Sequence, residues 1–533
     1  MSVESCSAWT RGGRVSLEDC FHHLTSREGA MIAVHESSLW RPLALGFATA
    51  VALTSVGCAD LDKETSPLSP ERGETDQPWD ATSILDEMLG EQLIEVAPGG
   101  QLSYFRMPYA TQLGQIPQDP QNPLTTEKVE LGRLLYHETC LGVDNVREEG
   151  YETYSCSSCH FAQAGFQANR PQGISEGGLG FGASGEGREF NPDYLTGPEF
   201  PDVQPIRTPS SMNAAYQELM LWNGQFGGVG DNLGTEEYWV EGTPLESNRL
   251  GLEGLETQAH AGLVVHRMGD IDLSRIMELP EYIELFTQAF PGDPEPVSRY
   301  NAAMAIAAFE RTLLANQAPF QRWLRGDLRA LRPREKRGAI LFFGDAECYV
   351  CHTGPGLSSM TFHALGMNDL DGTYDPSRIF LGATGGTVPD DVRQGRGGFT
   401  RQSGDMYKFK TPQLYNLLDS PFFGHGSSFD SVREVVEYKN AGVPQNGIVP
   451  VGQLADEFHP LGLTEDQIED LTAFLEGGLY DPDLMRYAPL EILSGNCFPT
   501  NDPESRHDLG CDPIPLPDPK TRDLASAGNV TRR

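Results

Sequence analysis

The sequence predicts a mainly α-helical fold in two related halves with long loops, and three observations predict it. Apolar residues recur at three- and four-residue steps in several segments, no segment is strand-rich, and a set of short motifs occurs twice in the same chain order.

The helices can be justified in turn. Glu127-Lys128-Val129-Glu130-Leu131-Gly132-Arg133-Leu134-Leu135-Tyr136 and Glu335-Lys336-Arg337-Gly338-Ala339-Ile340-Leu341-Phe342-Phe343 are both helical in period. A helix over about 298–314 has Ser298 as N-cap, with Ala302, Ala305, Ile306, Phe309 and Leu313 on one face. A last helix over about 464–475 opens with Thr464-Glu465-Asp466-Gln467, a capping-box pattern.

The two leading helices each end shortly before a Cys-x-x-Cys-His run: Cys156-Ser157-Ser158-Cys159-His160 and Cys348-Tyr349-Val350-Cys351-His352. At this spacing two thiols add to the vinyl groups of one haem, and the next His lies under the ring as an axial iron ligand. A Cys-x-x-Cys pair also occurs in half-zinc sites and in thiol redox motifs, but each needs further ligands or a particular surrounding fold. The repeat continues beyond the runs, where Arg207-Thr208-Pro209-Ser210-Ser211-Met212-Asn213 is answered by Lys410-Thr411-Pro412-Gln413-Leu414-Tyr415-Asn416. The expectation is two cytochrome c-like haem domains that arose by internal duplication.

The chain has 533 residues, room for two or three domains, and a formal net charge of −37. That charge argues against a nucleic-acid or anionic-membrane surface, and it suits docking of small basic electron carriers as well as plain solubility. Arg41 precedes an apolar run from Leu43 to Gly57 with the length of a secretory h-region, ending at Gly57-Cys58, which resembles a lipoprotein cleavage site. Met31 is an alternative start. Residues 1–57 are therefore expected to be an export region, with a lipid anchor at Cys58 set against simple secretion or an uncleaved anchor. The expected ranges are a linker over 58–90, a first haem domain over 91–297, a second over 298–490 and an irregular tail over 491–533. Export permits disulfides, and Cys497 with Cys511 would close a short loop, leaving Cys140 as a buried apolar filler.

Several linked motifs now identify a resemblance. In chain order they are Asn122-Pro123-Leu124 with Leu131-Gly132-Arg133, the first haem run, Trp222-Asn223-Gly224-Gln225, and Phe309-Glu310-Arg311-Thr312-Leu313. Phe342-Phe343-Gly344, the second haem run, Phe362-His363 and Leu461-Gly462-Leu463-Thr464 follow. Over about residues 120–480 the chain resembles the bacterial di-haem cytochrome c peroxidase family, including the haem enzymes that mature methylamine dehydrogenase. The resemblance implies two covalently bound c-type haems, attached through Cys156 and Cys159 and through Cys348 and Cys351. It assigns peroxide chemistry to the haem over His160 and electron transfer to the haem over His352. It makes Trp222 the residue between the haems, with a packed indole as the plainer alternative, and Gln258 a distal-pocket residue.

The chain departs from the family pattern in three places. No His occurs between His160 and His260, so the first iron is expected to be open in the oxidised state unless His260 or His266 binds it. The family's distal glutamate falls at Arg267, which stabilises charge but cannot act as a base, leaving His266 or His260, helped by Gln258, to move the proton. The second haem's sixth ligand falls at Tyr438 or Lys439. The family's calcium falls near Asp419 and Pro421, with Arg207 where an Asn ligand is expected.

The expected function is reduction of hydrogen peroxide to water, with electrons from a small cytochrome c or cupredoxin, in the periplasm or cell envelope. The rivals are a maturation-type oxidase acting on a protein or organic substrate, and a non-enzymatic di-haem electron carrier. The resemblance also leaves room for a homodimer.

Overall fold

The computed structural model describes residues 81–512, apart from 196–198, 270–272 and 372–377. The expected export region, Cys58 and residues 513–533 lie outside the described residues. The described residues belong to one compact unit, mainly α-helical, and no helix among them is long and apolar enough to cross a membrane.

The principal helices are α1 (Ala81–Val96), α2 (Thr126–His137), α3 (Gly254–Gly262), α4 (Pro280–Ala289), α5 (Arg299–Arg311), α6 (Pro333–Phe342), α7 (Val432–Ala441) and α8 (Glu465–Ala473). Strand structure among the described residues is limited to two antiparallel pairs, β1 (Gly178–Leu179) with β2 (Glu189–Phe190), and β3 (Phe362–His363) with β4 (Phe409–Lys410). The Ser298 cap of α5 accepts from the Asn301 amide, and Thr464 and Gln467 form the capping box of α8.

Each haem-run helix crosses a second helix at a glycine. A Cβ on Gly132 of α2 would lie 1.8 Å from the Ala305 carbonyl oxygen of α5, and one on Gly338 of α6 would lie 2.0 Å from the Asp470 carbonyl oxygen of α8. Only a residue without a side chain lets the backbones approach so closely.

Polar motif residues clamp the first crossing. Arg311 of α5 donates from Nε and Nη2 to Glu256 of α3, at 2.9 and 2.6 Å, with both side chains fully buried. Asn122 donates to Glu256 Oε1 and to the Met304 carbonyl oxygen. The motifs around Asn122 and Arg311 thus hold the α2–α3–α5 scaffold together.

Three sequence expectations about chain ranges need correction. The linker expected over 58–90 contains the start of α1, which is anchored on α6 by an Asp86–Lys336 ion pair of 2.7 Å, while Trp323, in the short helix Pro319–Trp323, donates from Nε1 to Asp86. The helix expected to open the second domain, α5, packs on α2 in the first half because its Ala-rich face matches Gly132. The tail is not irregular up to residue 512. The Cys497–Cys511 disulfide and a short helix, Pro503–Asp508, fasten it to the first half, with Asp502 against buried Arg188 at 3.2 Å. Cys140 is fully buried, as expected.

Candidate active site

The first Cys-x-x-Cys-His run forms one tight turn. The Ser158 hydroxyl accepts from the Ser155 amide and donates to the Pro499 carbonyl oxygen at 2.7 Å, so the tail holds the loop in place. His160 Nδ1 lies 3.3 Å from the Phe166 carbonyl oxygen and 3.3 Å from Ser211 Oγ, and Tyr136 donates to the His160 carbonyl oxygen at 2.9 Å. In the second run His352 Nδ1 lies 3.1 Å from the carbonyl oxygens of both Leu357 and Pro412. A carbonyl can only accept, so in each ring Nδ1 carries the proton and Nε2 is left as a metal donor. Burial depresses both imidazoles to about 4, which keeps them neutral as ligation requires.

The cysteines also argue against the plainer alternatives. Burial pushes the Cys156, Cys159 and Cys348 thiols up to about 12 and raises Cys351, whereas a reactive thiol pair has its pKa lowered. Among the described residues no three His, Cys, Asp or Glu side chains converge as a metal cluster, so a zinc site has no further ligands. All four thiols are free.

His352, Cys348 and Cys351 open onto a large cavity whose walls include Trp222, Phe409 and Lys410. On α7, Val432, Val435, Val436 and Lys439 line it at helical spacing. Tyr438 does not. Its ring packs with Phe429 and Phe458, and its hydroxyl donates to the Leu365 carbonyl oxygen at 2.5 Å. Successive helical side chains are turned about 100° apart, so Lys439 faces the cavity while Tyr438 faces the neighbouring apolar cluster. The residues fit a covalently attached haem: a neutral His donor, paired free thiols and a mainly apolar cavity.

Around the first run, His266 donates from Nδ1 to Asp202 Oδ2 at 3.3 Å. The His266 side chain is 44% exposed. Burial disfavours the charged imidazole, but the Asp202 hydrogen bond and charge outweigh it and raise the pKa above the ordinary value. Asp202 is also held by the Ser175 hydroxyl.

Arg267 is paired with buried Glu176 at 2.6 Å and donates to the Phe200 carbonyl oxygen. Glu176 accepts in addition from Tyr194 and the Val146 and Arg147 amides. His266 and Arg267 both adopt left-handed backbone, φ 54° and 55°, a strained conformation for non-glycine residues. The Asp144 amide and the Tyr154 hydroxyl hold the Arg267 carbonyl there. Gln258 Oε1 is buried with no partner among the described residues, an acceptor that awaits a donor. His260 is held elsewhere, by Ser247 at 2.9 Å and by Arg299.

Trp222 donates from Nε1 to the Arg207 carbonyl oxygen at 2.8 Å, and its ring centroid lies 6.4 Å from that of His425. Arg207 is buried and donates to Gln167, just beyond the first haem run, and to Ser420. A buried guanidinium repels a divalent cation, and Asp419 already accepts from Asn416 at 2.8 Å. The residues near Asp419 and Pro421 do not fit the expected calcium.

Comparison with known proteins agrees with this geometry. Residues 126–329 match the family described as di-haem cytochrome c peroxidase. The chain is 28% identical over 388 residues to the cytochrome c peroxidase IdrP1 of Denitromonas iodatirespirans, covering 70% of this chain and 86% of that protein. It is 28% identical over 367 residues to the methylamine utilization protein MauG of Methylorubrum extorquens, covering 68% and 80%. Among solved structures, a MauG-like protein associated with microbial copper homeostasis superimposes with a TM-score of 0.50 at 24% identity, covering 71% of this chain and 96% of that one, a likeness of fold. The chain is thus similar to di-haem cytochrome c peroxidases and to MauG proteins, both oxidoreductases.

Proposed function

We propose that the chain reduces hydrogen peroxide to water at a haem held by Cys156, Cys159 and His160. Two electrons and two protons are consumed for each peroxide, and two waters leave. The electrons enter from a small cytochrome c or cupredoxin through a second haem held by Cys348, Cys351 and His352. When bound, the haems supply the electron-transfer and oxygen-bond-breaking chemistry. Neutral His266, oriented by Asp202, takes the proton from the near peroxide oxygen and returns it to the far one. Arg267, held by Glu176, places positive charge beside the bond being broken. Gln258 Oε1 accepts a hydrogen bond from the bound peroxide. The single observation that carries the reading is the pair of Cys-x-x-Cys-His turns in which His160 and His352 are each hydrogen-bonded to carbonyl oxygens through Nδ1, leaving Nε2 as an iron donor.

Lys439 is the sixth-ligand candidate for the second haem in this reading, supported by its place on the cavity face of α7. Trp222, on the wall of the second cavity, would stand between the two haems in this reading. The like glycine crossings at Gly132 and Gly338 support an internal duplication. Export to the periplasm or cell envelope is supported by the Cys497–Cys511 disulfide, a bond that persists in oxidising compartments.

The alternative is a maturation-type oxidase acting on a protein or organic substrate, favoured by the absence of a carboxylate at position 267. Peroxide turnover with a reduced small cytochrome c, with products analysed, separates these readings. Stoichiometric donor oxidation and water formation support the peroxidase. No turnover leaves an electron carrier, and modification of an added organic substrate supports the oxidase.

A further inference from the structure

Lys410 is a buried cation on the wall of the second cavity, 6% exposed, that makes no ion pair with any described carboxylate. Its Nζ donates to the Leu219 carbonyl oxygen at 2.6 Å and to Gln217 Oε1, both neutral acceptors. An ammonium has three N–H donors, so one is left for the cavity. Burial alone lowers its pKa, to about 7, with no neighbouring charge opposing it. A buried ammonium needs an anion or is costly to keep charged.

The other charged groups on this wall are differently placed. Arg393 pairs with Asp371, and Asp369 accepts from His425 and Asn446. Lys439 stands on α7, and Glu457 lies 3.6 Å from His363 Nδ1. Lys410 is also tied by its backbone. Its amide donates to the Trp222 carbonyl oxygen at 2.7 Å, so three hydrogen bonds join one residue to the segment from Gln217 to Trp222.

We propose that Lys410 binds a propionate carboxylate of the second haem, and that its bonds to Gln217, Leu219 and Trp222 fix that haem edge against the Trp222 segment. The proposal rests on the reading that Cys348, Cys351 and His352 hold a haem. That cofactor brings two carboxylates into a cavity whose wall offers a buried ammonium with a spare donor. The fixed positive charge favours the ferrous over the ferric state, because the reduced centre is one unit more negative.

The test uses the full-length protein with both haems attached. Lys410→Met should lower the second haem's reduction potential by an amount equal to about tenfold in the electron-transfer equilibrium, about 59 mV for one electron. It should also shift the haem propionate bending band in the resonance Raman spectrum. Lys410→Arg should retain the wild-type potential. Denaturing mass measurement reports separately on the underlying reading, since absence of haem at Cys348 and Cys351 removes the site itself. A Lys410→Met protein with both haems, an unchanged second potential and an unmoved propionate band overturns the proposal. Where that variant fails to fold, crystals of the haem-loaded wild type decide. Nζ within about 3.2 Å of a propionate oxygen supports the proposal, and a separation beyond hydrogen-bond reach overturns it.

Discussion

His266 Nδ1 lies 3.3 Å from Asp202 Oδ2, while the next residue, Arg267, is paired with Glu176 at 2.6 Å. Two adjacent side chains in strained backbone are thus each fixed by a separate carboxylate. One is a titratable group, and the other is a permanent positive charge. Residues held in costly conformations tend to cluster where chemistry is done.

The Asp202 contact makes the reaction sensitive to pH. His266 accepts a proton only when neutral, so peroxide cleavage should fall as the pH drops through its folded pKa, which Asp202 holds above the ordinary imidazole value. Asp202→Asn removes the charge that favours imidazolium, so His266 stays neutral to lower pH. The acid limb of the rate profile should therefore move to lower pH, a shift that stopped-flow rates across a buffer series will register. An unmoved or upward-moving limb would assign the titration to another group.

Removal of the proton carrier itself should cost more. His266→Ala and Gln258→Ala should each slow peroxide cleavage by on the order of 10²-fold, through loss of proton transfer and of positioning respectively. His260→Ala should leave the rate close to wild type, because His260 is engaged by Ser247 and Arg299. Single-turnover kinetics of the three variants compare them directly.

On α7 the two neighbours should behave oppositely. Lys439→Ala should convert a low-spin second haem to high spin, while Tyr438→Phe should leave the spin state unchanged because its ring packs with Phe429 and Phe458. Electron paramagnetic resonance of the ferric proteins distinguishes these outcomes. A spin change in the Tyr438 variant alone would reverse the assignment.

The scaffold has its own weak point. Glu256→Ala leaves the Arg311 guanidinium buried opposite a missing carboxylate, and loss of one partner of a buried pair typically costs about 3–5 kcal/mol. Denaturant melts of the haem-loaded protein should show a lower midpoint with the slope retained. A loss under about 1 kcal/mol would mean that Glu253 takes over the pairing.

Much of this was legible in the sequence because its signals are local. A Cys-x-x-Cys-His run fixes its attachment chemistry within five positions, and the capping residues Ser298 and Thr464 announce their helices. The glycines at 132 and 338 are visible in the sequence, but the close helix crossing that requires them is not. Asp202 and Glu176 were missed for a related reason. Both come from loops far in sequence from His266 and Arg267, and no spacing rule links them. Neither the aim of Lys439 nor that of Tyr438 follows from sequence, since one residue of helical rotation separates cavity from satellite core. The fastening of the tail through Pro499 and Asp502 depends on tertiary contacts alone.

The central claim is that the oxidised protein meets peroxide at an open first haem, with His266 and Gln258 already arranged to act on it. Rapid mixing of fully ferric protein with hydrogen peroxide tests this most directly. The account predicts an immediate change in the first haem's spectrum without prior reduction, slowed in His266→Ala. A ferric protein that stays inert until one electron is added would contradict it, and would make a residue of this chain a reductively released gate on the first iron.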